Sequence, residues 1–171
     1  MTYNTHPIFV HFPIALLCIY SLIKILPVQK WFPTVAWKHI ERALLVFGVL
    51  GAFASLSTGE TAEELTRPEH DVVEAHALFA TMATWVYGLL LAGEVLTIST
   101  SWIMSKVQSQ TILNVLVLLR DLLTHRMLST ALSIVGLVAI SITGLLGGVM
   151  VYGTTADPAA GFVLQLLGIK Y

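Results

Sequence analysis

Charge is what this sequence has least of. Of its 171 residues only 11% are charged, against 56% hydrophobic, and the mean hydropathy is +0.82. A soluble domain of this length has too little interior to hide that much apolar surface, so the composition excludes one. Lys and Arg number 9 against 10 Asp and Glu, with no basic patch, which excludes nucleic acid as a partner. The single cysteine, Cys18, excludes an intramolecular disulfide; with no CxxCH present, any haem must be held noncovalently. GxSxG, a P-loop, a dinucleotide fingerprint, HExxH and a thiol–histidine arrangement are all missing, so the chain is expected to be an electron carrier or a subunit before a stand-alone enzyme. The opening MTYNTHP has no basic n-region and no small-residue cleavage site follows it, so the first apolar run is expected to be retained.

What the sequence does hold is four apolar runs, near 8–27, 40–58, 75–98 and 127–152, each about the ~20 residues that cross a hydrocarbon core of roughly 30 Å. They predict a single all-α domain over 1–171, an integral membrane four-helix bundle with up-down-up-down order. The segment 103–123 is apolar but short and interrupted by Arg120 and Asp121; it predicts a short helix lying in the interface between spans three and four. Residues 159–169 predict a second surface helix at the other end. Lys24, Lys30, Lys38, Arg42, Lys106, Arg120 and Arg126 fall on one side of this topology, leaving Arg67 and Lys170 opposite, so both termini are expected outside. In a bacterium this means the inner membrane with periplasmic termini. Trp31 and Trp37 suit the inner headgroup belt, and Pro13 is expected to bend the first span. Gly48, Gly51, Ala52 and Ser55 in span two, and Gly144 and Gly148 in span four, predict close backbone contact.

All six histidines sit near span ends. His6, His11, His70 and His76 fall on the outer side, His39 and His125 on the inner. A polar group inside a bilayer is costly unless it meets a cavity, partner or ligand, so His11 is expected to point inward. In an up-down-up-down bundle spans one and three are diagonal, and His11 and His76 could then grip one haem iron from opposite sides. His6 and His70 are outer alternates, with hydrogen-bonded capping or solvation as their ordinary roles. His39 and His125 would repeat the geometry at a second, inner haem, with interfacial anchoring as the alternative. Ser57, Thr58 and Arg67 are candidates to steady haem propionates. The outer loop 59–76 carries Glu60, Glu63, Glu64, Glu69, Asp71 and Glu74, which suits a basic soluble redox partner at 59–74, and with histidine suits zinc or non-haem iron. Glu94, deep in span three, is expected to pair with Lys24 or to snorkel.

HPIFVHFPIALL at 6–17, STGETAEEL after span two, EAHALFA opening span three and GLLGGVMVYG closing span four together resemble a family of uncharacterised bacterial four-span membrane proteins with an HPxxVHFPIALL opening. The likeness covers about 6–153, and the positions that carry it are His6, Pro7, His11, Pro13, Thr58, Gly59 and His76. The family occurs alone and fused to cytochrome-like domains, which implies haem binding or redox partnership; His39 and His125 lie outside its pattern. The expected function is therefore that of a b-type cytochrome-like electron carrier with one or two haems. The alternatives are an accessory subunit of a larger membrane complex or homo-oligomer, and a divalent-metal-binding membrane protein.

Overall fold

The computed structural model describes residues 5–66 and 68–170, and among them the chain is helical with no strand. In order come α1 (His6–Ile25), α2 (Val28–Trp31), α3 (Trp37–Thr66), α4 (His70–Lys106), α5 (Gln110–Thr124), α6 (Arg126–Tyr152), a 3₁₀ turn (Gly153–Thr155) and α7 (Ala160–Leu166). Four of them, α1, α3, α4 and α6, are long and apolar enough to cross a membrane. α1 packs along α3 and α6, while α4 packs along α3, α6 and α5. Neither α1 with α4 nor α3 with α6 forms a principal interface.

Pro13 is the local conflict in α1, since its ring has no N–H for the carbonyl of residue 9. The neighbouring helix resolves it. The Ser55 hydroxyl of α3 reaches the Phe9 carbonyl at 3.0 Å and its own Gly51 carbonyl at 2.9 Å. A hydroxyl from a packed neighbour is how membrane helices re-satisfy a backbone group freed by proline. The Pro13 ring itself lies over Gly51, where an added Cβ would meet it at 3.2 Å. One step along the same stripe Leu17 covers Gly48, leaving 2.5 Å for a Cβ. The predicted small-residue face of span two is thus the seat of α1. In α6 the tight contact is not at Gly144 or Gly148 but at Gly136, where a Cβ would come within 2.7 Å of the Tyr87 ring.

The core gathers Leu17, Tyr20, Leu45, Val49, Ala83, Tyr87, Leu90, Ala139 and Ile140. Tyr87 ties the diagonal pair together, its phenol 2.7 Å from the Ser21 hydroxyl and its ring edge-on to Tyr20 at 6.2 Å. A second cluster of Val72, Leu146, Val149, Ala160 and Leu164 seats α7 on the ends of α4 and α6, where a surface helix over 159–169 was expected.

Two segments depart from expectation. α3 and α4 run on past the apolar ends at 58 and 98, because helical hydrogen bonding does not stop where hydrophobicity does and EELT and TSWIMSK are both compatible with a helix. The helix expected at TILNVLVLLRDLL within the 103–123 segment is α5, which turns back antiparallel along the end of α4. Leu123 lies against Gly93, Arg120 Nη1 donates to Thr100 Oγ1 at 3.3 Å, and Leu113 and Leu116 face Leu96 and Ile103.

Candidate functional site

Polar side chains collect in two layers. One, at the end of α1 and the start of α3, joins three helices by ion pairs: Lys24 Nζ to Glu41 Oε2 at 2.8 Å and Arg42 Nε to Glu94 Oε2 at 2.8 Å. Gln29 adds a hydrogen bond to Glu41 at 3.2 Å. Glu41 is 5% exposed. The expected Lys24–Glu94 pair does not form, because Arg42, on the helix that packs directly on α4, takes Glu94 and leaves Lys24 to Glu41. Sequence reasoning missed Glu41; its signal was the WKHIER run, which puts a carboxylate one residue before an arginine at the start of a span.

The other layer, at the opposite helix ends, holds His6 and His76. His6 lies seven residues before Pro13, about 20° short of two full turns, so the two share the inward face of α1. Its Nδ1 is 2.8 Å from the Thr58 hydroxyl, which in turn donates to the Ser55 carbonyl at 3.0 Å. His76, at half-buried depth on α4, has Nδ1 2.9 Å from the Thr143 carbonyl of α6. Only a protonated Nδ1 can donate to a carbonyl, so neutral His76 carries its lone pair on Nε2. Its Cε1 lies 3.5 Å from the point a Cβ on Gly147 would occupy, an ordinary contact distance, so the ring packs beside α6 at this glycine.

His11 is where the sequence reading of the site and the structure part. It is exposed, and its Nδ1 bonds the Pro7 carbonyl one turn back on its own helix. Residues 11 and 13 are about 160° apart around the helix, so a helix that buries Pro13 and Leu17 must turn His11 outward and His6 inward. The cost argument that favoured His11 is met differently: near the helix end, its ring satisfies one nitrogen locally and can reach the headgroups. The structure therefore turns His6, not His11, towards the neighbouring helix α3.

The remaining candidates are dispersed. His70 is exposed at the start of α4 and lines a shallow cleft with Glu60, Glu63, Glu64 and Pro68. His39, in the first turn of α3, and His125, between α5 and α6, are both exposed, and α3 has no principal interface with α5 or α6, so the expected inner haem pair is not assembled. The Ser57 hydroxyl donates to the Ala54 carbonyl, Thr58 belongs to His6, and Arg67 lies outside the described residues. All six acids of the outer segment are exposed. Among the described residues no group of three or more His, Cys, Asp or Glu side chains converges on one point. Thr143, whose carbonyl meets His76, went unnoticed in the sequence because a lone hydroxyl residue in an apolar span has no distinguishing pattern, and Ser55 was noted there only as a small packing residue.

The fold and its two polar layers define a class, an all-helical protein with four helices fit to cross a membrane. Comparison of the chain with family models, curated proteins and solved structures gives no match.

Proposed function

We propose that the chain is a b-type cytochrome-like protein of the bacterial inner membrane, with haem iron held at its outer end by His76 of α4 and His6 of α1. The bundle runs up-down-up-down with both termini on the periplasmic side, and α5 stands at the inner interface. The observation that carries this reading is the Nδ1 bond from His76 to the Thr143 carbonyl, since a ligating imidazole characteristically donates its other N–H to a backbone carbonyl that holds ring and tautomer. The donor count points the same way. Zinc and non-haem iron sites take about three or four protein ligands, whereas haem needs only two axial ones, and two imidazoles are what the outer layer offers.

Bound haem supplies one-electron transfer. The chain orients His76 through Thr143 and tethers His6 through Thr58. The exposed acids from Glu60 to Glu74 surround this end and favour a basic soluble partner, attracted at long range and released as salt screens the charges. A second reading, a subunit of a larger membrane assembly, is favoured by the uncovered apolar surface of α5 and the end of α4.

The test is the oxidised and dithionite-reduced visible spectrum of purified protein, with metal analysis on the same sample. A Soret band that survives His11→Ala and disappears in His76→Ala and His6→Ala is the expected result. Protein that is colourless as isolated and binds no added haem overturns the reading, and stoichiometric zinc or iron without porphyrin replaces it with the metal-binding alternative.

A further inference from the structure

Charge is divided unevenly between the two ends of this molecule. At the end where α1 gives way to α3, the acids are Glu41, Glu94 and Asp121, and each already holds a cation of the chain: Lys24, Arg42 and Arg120 respectively. The other cations of this end, Lys30, Lys38, Lys106 and Arg126, are exposed and make no ion pair among the described residues. The remaining acids, those between Glu60 and Glu74 together with Asp157, lie at the opposite helix ends. Internal pairing therefore consumes every negative charge at the first end and leaves only positive charge there for an outside partner.

Two of those cations belong to the connection between α1 and α3, residues 26–36 and the first turn of α3, which is a folded element. Its Phe32 N–H donates to the Val28 carbonyl at 2.9 Å, and the Trp37 N–H to the Val35 carbonyl at 2.8 Å. Gln29 ties it to Glu41, and the Trp37 indole N–H donates to the Phe32 carbonyl at 2.9 Å with the two rings 6.5 Å apart. This arrangement presents Trp31 and Phe32, each 57% exposed, between the exposed ammonium groups of Lys30 and Lys38. Both α1 and α3 are fit to cross a membrane, and so short a link between two crossing helices lies at the surface from which both emerge. Indole and phenyl rings beside lysines suit that boundary, where a ring meets acyl chains and an ammonium reaches phosphate.

We propose that the α1–α3 connection is a binding surface for anionic phospholipid, with Lys30 and Lys38 meeting headgroup phosphates and Trp31 and Phe32 seated at the glycerol level. The charge balance selects the lipid class. A zwitterionic headgroup brings its own cation to neutralise its phosphate, so it gains little from two lysines that have no acid beside them. A headgroup with net negative charge gains from both, by about fivefold in local abundance for each lysine near the membrane surface. The same positive surface holds no carboxylate free to repel such a lipid, because Glu41 is already bound to Lys24 and Gln29.

The test uses the full chain in phosphatidylcholine nanodiscs, with Trp85→Phe and Trp102→Phe in place so that Trp31 and Trp37 are the only indoles. Lipid brominated near the glycerol backbone is titrated in, either as phosphatidylglycerol or as phosphatidylcholine, and tryptophan quenching is read against unbrominated discs of the same composition. Half-maximal quenching is expected at a fraction of brominated phosphatidylglycerol at least about fivefold below that of brominated phosphatidylcholine. Lys30→Gln/Lys38→Gln should make the two titrations coincide, and Lys30→Arg/Lys38→Arg should keep them apart. Both side chains are exposed and unpaired among the described residues, so an unchanged helical circular dichroism spectrum is expected in each variant. Coincident titrations for the lysine-bearing chain, a preference that survives the glutamine substitutions, or quenching by neither lipid would overturn the proposal. So would loss of the preference on adding inorganic phosphate at constant ionic strength, which would mark a site for free anions in place of lipid.

Discussion

Ser55→Ala removes a single oxygen, yet its effect should depend on a residue in another helix. In the native chain the Ser55 hydroxyl is the hydrogen-bond donor to the Phe9 carbonyl, which lacks its intrahelical donor because residue 13 is proline. Ser55 is 9% exposed, so water is a poor substitute. An orphaned buried carbonyl costs about 1–3 kcal/mol, while interhelical hydrogen bonds measured in membrane proteins average about 0.6 and reach about 1.7 kcal/mol; about 1 kcal/mol is therefore expected for Ser55→Ala. With Pro13→Ala in place, the new N–H of residue 13 serves the Phe9 carbonyl, and the same serine substitution should then cost no more than a few tenths of a kcal/mol. The double-mutant cycle thus has a coupling energy near 1 kcal/mol, read from reversible unfolding of bicelle-reconstituted protein in SDS. Pro13→Ala also strips packing from Gly51, but that loss is common to both arms and cancels in the cycle. A coupling indistinguishable from zero would refute the account of how α1 tolerates its proline.

Gly48→Ala places a methyl group 2.5 Å from Leu17 Cδ2, and the resulting separation of α1 from α3 should destabilise by about 1–3 kcal/mol in the same unfolding assay, whereas Gly161→Ala, with nothing nearby, should be neutral. At the inner layer the two single deletions should be unequal. Lys24→Met strands the Glu41 carboxylate, whose side chain is 6% exposed, while Glu41→Gln leaves Lys24, 22% exposed, able to snorkel to water. The lysine variant should be the less stable, by about 1–3 kcal/mol, and the double variant should recover most of that difference; the reverse order would show that the pair does not control this layer.

Much of the architecture was legible in the chain because its determinants are one-dimensional. A hydrophobic run of about 20 residues is a property of the local sequence, so four helices able to cross a membrane, a helix over 160–166 and a small-residue face on span two all follow from composition and spacing. The helix ends were less legible, since the charged tails of α3 and α4 look like loops on a hydropathy scale but are adequate helix formers. Glycine spacing was only half informative. Gly48 and Gly51 seat α1, yet the tightest approach to α6 is at Gly136, which has no glycine four residues away.

The sequence by itself determined that His6, His11, His70 and His76 fall near one set of span ends and most of the lysines and arginines near the other. Which histidine faces inward was decided only when α1 chose its buried face. That choice rests on Pro13 and Leu17 fitting the grooves at Gly51 and Gly48, contacts between residues more than thirty positions apart. Once they are seated, helical geometry turns His6 towards Thr58 of α3 and His11 away, whatever the polarity of either ring. The partners of Lys24 and Glu94 were settled in the same manner. Any cation near the inner end could have answered either carboxylate, and only the packing of α3 between α1 and α4 gave Glu41 to the lysine and Arg42 to Glu94. Hydrophobic length is read along the chain, but rotation about a helix axis is set by its neighbours.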